Sequence, residues 1–312
     1  MIKGRYIVKC DGETVAEAEN VITNDGLNII RNYLAGSTGT WAGSIAIGAM
    51  NNSAPSATDT ALEFELTRAP ILISSVEDSE IVLNATLGSE VEARIFELGV
   101  YPSVNNTTSL GFDDRVIATF SEDWTDSAGV SLGSSNFSGT ETDSDGRSGY
   151  RNMIVGNSGI SAYFDTGLNA QGYSQLDSVT MLYRTASTGA DRTVRVTFYD
   201  DQLPTAGTKY YDFVLVGAST GYKKISALYG NFTETGNFNH SISQITITST
   251  AATAATVHLD ALKFDDADEV NLNFGLVSRA LIGSVNGTTT SDYIVKPSGV
   301  QMDVEYRLEL GA

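Results

Sequence analysis

The feature that most constrains the fold is a strict alternation of apolar and polar residues in several short segments. In RTVRVTFYD, residues 192–200, Val194, Val196 and Phe198 share one side of an extended chain, and polar residues occupy most of the other. The segment MDVEYRLEL, residues 302–310, alternates in the same way. A period of two is typical of half-buried antiparallel strands that keep one face in water. The sequence therefore predicts a mainly β fold.

One segment, TNDGLNIIRNYLAGS, has the pattern of a short helix instead. Leu27, Ile30 and Leu34 recur at spacings of three and four residues, which places them on one helical face. Thr23 or Asn24 can cap the first turn with a side-chain oxygen. We expect this to be the single helix, packed on the core.

The composition of the chain changes between residues 113 and 269, where Tyr, Ser, Thr and Gly are frequent between strand-like runs. The segment after residue 270 is too short to bury a core alone and most simply completes a sheet begun in residues 1–112. The sequence thus predicts a discontinuous β-sandwich-like base domain with one short helix, 1–112 plus 270–312. Residues 113–269 would form a jelly-roll β-sandwich inserted into one of its loops, where insertions cost little closure entropy.

The chain is strongly acidic, with a formal net charge of −19 over 312 residues and one cysteine, Cys10. Nucleic acid is a poor partner for such a surface, because binding it needs clustered Lys and Arg. A single cysteine excludes an internal disulfide. The sequence contains no run of about 18 apolar residues, so it predicts no membrane span. The N-terminal residues lack the pattern of a signal peptide, so we expect folding in the cytoplasm.

Several short motifs follow one another in an order that resembles a known family. A strand ending in glycine leads to a polar loop and a D-T-x-L, E-L-x-R segment; strands containing E-x-G-V-Y and S-R-A come later. The motif residues are Gly48, Asp59, Thr60, Leu62, Glu65, Leu66, Arg68, Glu97, Gly99, Tyr101, Ser278, Arg279 and Ala280. This order is similar to that of small structural proteins of tailed bacteriophages and related viruses, found in tails, baseplates, fibres and head surfaces.

The resemblance implies a virion protein that is assembled in the host cytoplasm. Its base domain would attach to other virion proteins and to copies of itself, with a trimer as the expected oligomer. Within this domain, Asp59 would close a turn, and Glu65 and Arg68 would pair within the fold or across subunits. The insert lies outside the resemblance.

The insert begins ATFSEDWTDSAG and ends VHLDALKFDD, which is similar to the two ends of jelly-roll carbohydrate-binding modules. In many such modules, carboxylates from the first and last strands hold a structural calcium ion. That resemblance implies Glu122, Asp123 and Asp260 as calcium ligands, with carbonyl oxygens completing the shell of six to eight oxygens.

Aromatic side chains would decide whether the insert binds a glycan, because sugar rings stack on flat side chains. The candidates are Trp124, Tyr150, Tyr163, Tyr173, Tyr183, Tyr222 and Tyr229. Most Tyr and Trp residues in sandwiches pack in or near the core with one polar end wet. From this set, Trp124, Tyr150 and Tyr222 are predicted to bind a host surface glycan.

The sequence contains no pattern that marks a catalytic centre. The two histidines, His240 and His258, lack metal-ligand spacing, and no G-x-S-x-G or H-E-x-x-H motif occurs. We therefore expect a protein that is not an enzyme. The alternatives to a virion protein are a secreted carbohydrate-binding protein and a polysaccharide-degrading enzyme.

Overall fold

The chain is represented by a computed structural model. It describes residues 2–36, 39–103, 116–120, 124–125, 129, 140–141, 147, 152–155, 161–169, 175–185, 191–200, 207–217, 219–249, 257–265, 275–283 and 293–309. These residues form two compact units, one made of residues 1–115 with 273–312 and the other of residues 116–272. We call them the base unit and the inserted unit.

The described residues form one α-helix and otherwise mostly β-strands. The first part of the base unit contains β1 (Lys3–Cys10), β2 (Glu13–Glu19), β3 (Val21–Ile22), α1 (Asn24–Leu34), β4 (Thr40–Gly48), β5 (Glu65–Glu77), β6 (Glu80–Leu87), β7 (Ala93–Ile95) and β8 (Glu97–Ser103). The inserted unit contains β9 (Val116–Ala118), β10 (Thr140–Glu141), β11 (Asn152–Val155), β12 (Ser161–Asn169), β13 (Ser178–Thr185), β14 (Arg192–Tyr199), β15 (Thr208–Leu215), β16 (Ser219–Leu228), a 3₁₀ turn (Tyr229–Asn231), β17 (Thr233–Thr235), β18 (Ser241–Ser249) and β19 (Val257–Asp265). The base unit ends with β20 (Ser278–Leu281), β21 (Ile294–Lys296) and β22 (Met302–Glu309).

The base unit is built on a nine-stranded antiparallel sheet in the order β2-β1-β22-β6-β5-β4-β8-β20-β3, with a separate β21-β7 pair. Strands from both ends of the chain alternate in this order. Strand β22 lies between β1 and β6, and β20 lies between β8 and β3, so both parts of the chain are needed to complete the sheet. The fold-class prediction of a mainly β, discontinuous base domain with one helix is confirmed.

Helix α1 begins where the sequence indicates. The Thr23 hydroxyl accepts a hydrogen bond from the Gly26 N–H at 2.9 Å, which satisfies one of the free N–H groups of the first turn. Of the three residues predicted to face the core, Ile30 is buried, whereas Leu27 and Leu34 are 37% and 72% exposed, so the helix contacts the core through only part of that face. No helix among the described residues is both long and apolar enough to cross a membrane.

The inserted unit has two antiparallel sheets that share one core, in the manner of a jelly roll. One sheet has the order β10-β11-β19-β13-β16, with β9 also pairing with β19; the other has the order β12-β18-β14-β15-β17. The core takes residues from both sheets, such as Met181 and Leu259 from the first and Val196 and Ile245 from the second. The predicted inserted β-sandwich is therefore confirmed as part of the fold class.

Candidate functional site

The sheet β12-β18-β14-β15-β17 has one apolar side and one polar side. Along β14, Val194, Val196 and Phe198 are fully buried in the core between the sheets. The residues between them must point to the opposite side of the sheet, because successive side chains of a strand alternate. The outer side of this sheet therefore carries the polar half of each strand pattern.

Strand register aligns polar residues of four neighbouring strands in one row across this outer side. Tyr163 is opposite Thr246, Thr246 is opposite Thr197, and Thr197 is opposite Tyr210. Since neighbouring strands lie about 4.8 Å apart, the two tyrosines stand about 14 Å from each other across the sheet. Both tyrosines are partly exposed, and the two threonines between them are nearly buried.

The next row along the strands adds a third tyrosine. Tyr199 is opposite Gln244 on β18 and Thr208 on β15. The Gln244 side-chain amide donates a 2.7 Å hydrogen bond to the Asp165 carboxylate, which fixes the amide plane beside the ring. Burial raises the pKa of Tyr199, so its hydroxyl keeps its proton over the physiological range and can both donate and accept.

An ion pair stands at the other side of the tyrosine row. The Arg195 guanidinium donates two hydrogen bonds to Asp212, Nε to Oδ1 and Nη2 to Oδ2, each 2.7 Å long. These bonds lower the pKa of Asp212 and raise the pKa of Arg195. The guanidinium also lies over the Tyr210 ring, with Cζ 4.2 Å from the ring centre, so it holds that ring in place.

These residues together form a surface with aromatic and hydrogen-bonding groups that we call the tyrosine face. It is defined by Tyr163, Asp165, Arg195, Thr197, Tyr199, Tyr210, Asp212, Gln244 and Thr246. Partly exposed aromatic rings offer flat apolar area, while the hydroxyl, carboxylate and amide groups around them can orient a polar ligand. Such an arrangement suits a ligand whose rings have apolar faces and hydroxylated edges.

The predicted glycan-binding residue Trp124 lies elsewhere. Its side chain is 1% exposed, and its ring centre is 5.4 Å from that of Phe120 and 5.3 Å from that of Phe164. The ring therefore belongs to the core, and a packing role replaces the predicted binding role.

A second predicted glycan-binding residue, Tyr222, is also outside the tyrosine face. Tyr222 is 3% exposed on β16 of the opposite sheet, where the guanidinium carbons of Arg147 and Arg184 lie 5.3 and 5.5 Å from its ring centre. It is enclosed between charged neighbours and has little free ring area. Tyr150 lies outside the described residues.

Of the three predicted calcium ligands, the structure describes Asp260 alone. It is fully buried on β19, opposite Leu182 of β13, and its carboxylate accepts a hydrogen bond from the Arg147 backbone N–H. Glu122 and Asp123 lie outside the described residues. Within the described part of the chain, no three His, Cys, Asp or Glu side chains form a group that could hold a metal ion. Calcium binding by this set stays a prediction.

Motif residues of the base unit converge on one buried guanidinium. Arg279 of β20 is 1% exposed and contacts three carboxylates: Glu97 at 2.9 Å, Asp59 at 2.9 Å and Glu63 at 3.1 Å. Glu97 is fully buried and also accepts hydrogen bonds from the backbone N–H groups of Glu63 and Phe64. This Arg279 network ties the loop between β4 and β5 to strands β8 and β20.

The close packing of this network accounts for the glycine at the end of β4. A Cβ atom at Gly48 would lie 2.4 Å from Oε1 of Glu97, so any larger residue would displace the carboxylate. Three acids face one guanidinium, and burial raises the pKa of Glu97 to about 7, although Arg279 acts in the opposite direction. Asp59 also closes a turn by accepting a 2.9 Å hydrogen bond from the Ser56 N–H.

Glu65 and Arg68 pair within one chain. Two hydrogen bonds of 2.6 and 3.0 Å join the Arg68 guanidinium to the Glu65 carboxylate. The guanidinium lies 3.8 Å from the ring centre of Tyr101, whose hydroxyl accepts a hydrogen bond from the Leu62 N–H. The E-L-x-R segment, through Arg68, and the E-x-G-V-Y segment, through Tyr101, therefore both stabilise the loop between β4 and β5.

Comparison with known proteins gives no relative in sequence. The sequence matches no protein family model and no curated protein. Among solved structures, a family 11 carbohydrate-binding module from Clostridium thermocellum, in complex with a β-1,3-1,4-mixed-linked tetrasaccharide, is similar at 10% identity and a TM-score of 0.33. The similarity covers 49% of this chain and 95% of the module.

Two further structures illustrate the range of the similarities. The xylan-binding domain CBM22-1 from Paenibacillus barcinonensis has 12% identity and a TM-score of 0.30, covering 51% of this chain and 91% of that domain. The enzymatically active domain of bacteriophage CBA120 tailspike protein 4 has 8% identity and a TM-score of 0.25, covering 41% of this chain and 16% of that one. At these TM-scores the similarities carry no functional argument, which rests on the residues of this chain.

Proposed function

We propose that the inserted unit binds a glycan on the tyrosine face. The observation that carries this proposal is the convergence of Tyr163, Tyr199 and Tyr210 on one outer sheet surface among hydroxyl, carboxylate and amide groups. Sugar rings would stack on the tyrosines, and Asp165 and Gln244 would bond their hydroxyl groups. The distance of about 14 Å between the outermost tyrosines suits a short oligosaccharide segment better than a single sugar.

The charges of the face favour a neutral glycan. Its cation, Arg195, is already neutralised by two hydrogen bonds to Asp212, while Asp165 adds a further negative charge. The whole chain carries a net charge of −19, which repels anionic polymers. A neutral polysaccharide avoids that repulsion and can still use the carboxylates as hydrogen-bond acceptors.

Affinity electrophoresis of the full chain in gels containing soluble neutral polysaccharides tests this proposal. Variants Tyr163→Ala and Tyr210→Ala each remove one stacking ring, which is worth about 0.5–1.5 kcal/mol beyond buried area, so binding should weaken about 2- to 10-fold. Tyr33→Ala is the matched control, because Tyr33 is 45% exposed on α1 of the base unit. Equal retardation of the wild-type protein and both face variants would contradict the proposal.

We further propose that the base unit attaches the protein to a virus particle of the tailed-bacteriophage type. The support is the order of the sequence motifs, several of whose residues, Asp59, Glu97 and Arg279, form one buried network. On this proposal the base unit is an assembly element, the inserted unit is displayed, and the protein has no catalytic role. A secreted carbohydrate-binding protein is the alternative that the tyrosine face accommodates equally well.

Two measurements separate these possibilities. Mass spectrometry of purified virus particles from the source culture should find the chain in a fixed ratio to the major capsid protein. Light scattering of the purified protein should give a closed oligomer, with a trimer as the expected size. A monomer that is absent from particles would contradict the virion proposal and leave the glycan proposal standing.

A further inference from the structure

One end of the inserted sandwich contains a buried arginine without an anionic partner. Arg192 begins β14 opposite Leu215 of β15 and shares the inward side of β14 with Val194 and Val196. Its side chain is 1% exposed. Nε, Nη1 and Nη2 all lack a hydrogen-bond partner within the part of the chain that the structure describes.

A second polar group without a partner lies at the same end. Ser249 ends β18, opposite Val194, and its buried Oγ has no hydrogen-bond partner among the described residues. Tyr183, near the end of β13, is 5% exposed; burial raises the pKa of its hydroxyl, which has a hydrogen bond with the Val216 backbone. Two buried polar side chains without a partner among the described residues, one on β14 and one on β18, therefore lie at one end of the core.

Within the described part of the chain, no carboxylate pairs with this guanidinium. In the sequence, the segments that join the strand ends, GNSGI (156–160), ASTGA (186–190), VGA (216–218) and TAATAAT (250–256), contain no Asp or Glu. The neighbouring Asp191 accepts a hydrogen bond from the Gly217 N–H at 3.3 Å.

A buried guanidinium without a counter-charge is unfavourable, and it cannot be relieved by losing a proton, because arginine stays protonated in proteins. Burial lowers the pKa of Arg192, but the group remains a cation at physiological pH. The planar fork of N–H groups fits the oxygens of a carboxylate, sulfate or phosphate. We infer that Arg192, together with Ser249, binds a small oxyanion at this end of the sandwich.

Two sources share this chemistry: a free inorganic oxyanion and the acid group of a charged sugar. Thermal unfolding of the full chain is measured in sulfate and in glucuronate, with chloride at equal ionic strength as the reference. Sulfate also stabilises proteins through general exclusion from their surfaces, so only the difference between the wild type and Arg192→Met is interpreted. Stabilisation by sulfate indicates the free ion, and stabilisation by glucuronate alone indicates the sugar.

A bound oxyanion should raise the melting temperature of the inserted unit by about 5–10 °C at a hundredfold excess over its dissociation constant. Arg192→Met should lose this rise and should melt above the wild type when no oxyanion is present, because an unpaired buried charge is gone. Lys224→Met, with the same charge change at an exposed position on β16 of the inserted unit, should retain the rise. Equal responses of Arg192→Met and the wild type would overturn the inference.

If Arg192→Met fails to fold, calorimetric titration of the wild-type chain with sulfate and with glucuronate tests the inference instead. Saturable binding with one site per chain supports the inference, and the absence of heat above the chloride reference refutes it. Sulfate has no ring that could stack on the tyrosine face, so the sulfate result is independent of the proposed glycan binding.

Discussion

Replacing Glu97 by Gln should remove a pH dependence from the stability of the base unit. Burial raises the pKa of Glu97 from 4.5 to about 7. A carboxyl group with a raised pKa in the folded state contributes stability that is complete below pH 4.5 and is lost as the pH rises through 7. At 1.36 kcal/mol per pKa unit, the loss is on the order of 3 kcal/mol.

The assay is urea unfolding of the wild type and Glu97→Gln between pH 5 and 8, followed by tryptophan emission. Trp41 lies in the base unit and Trp124 in the inserted unit, so a Trp41→Phe variant shows which unfolding transition belongs to the base unit. The wild-type free energy of unfolding should fall relative to Glu97→Gln as the pH rises. Glu77→Gln, an exposed charge change in the same unit, should follow the wild type. Parallel curves for the wild type and Glu97→Gln would refute the reasoning.

The remaining two predictions concern the helix contact and the calcium ligands. Gly26→Ala should lower the free energy of unfolding of the base unit by about 1–3 kcal/mol in urea, because the new Cβ would lie 2.1 Å from the Val277 carbonyl oxygen. Asn28→Ala, at an exposed position of the same helix, should lower it less. Equal losses for the two variants would contradict this reasoning. If Glu122, Asp123 and Asp260 bind calcium, a chelator should lower the melting temperature of the inserted unit and added calcium should restore it; indifference to both would exclude the site.

Local patterns were sufficient to predict the class of fold and the sides of its strands. Alternation in residues 192–200 separated Val194, Val196 and Phe198 from Arg195, Thr197 and Tyr199, and the structure places the first three in the core. The Thr23 cap of α1 was equally predictable from the sequence, because its side-chain oxygen accepts a hydrogen bond from a backbone N–H only three residues away.

Residue type alone placed Tyr163 among the glycan candidates but missed Tyr199 and Tyr210, which lie on the same face. Trp124 is aromatic, as a residue that stacks on a sugar must be, yet it is enclosed beside Phe120 and Phe164. Tyr199 and Tyr210 are not among the sequence candidates, although Tyr199 lies on the polar side of β14 and Tyr210 lies in the strand segment TKYYDFVL. Combining the alternation of each strand with the aromatic residues on its wet side would have found both.

The sequence by itself determined which side of each strand is apolar and where the helix begins, because these properties depend on neighbours a few residues apart. Only the tertiary structure decided which strands stand side by side. The tyrosine face joins residues 163, 199 and 210 through the register of β12, β18, β14 and β15, and Arg279 meets Glu97 across 182 residues of sequence. Register over such distances is fixed by burial of one shared core, which no local pattern contains.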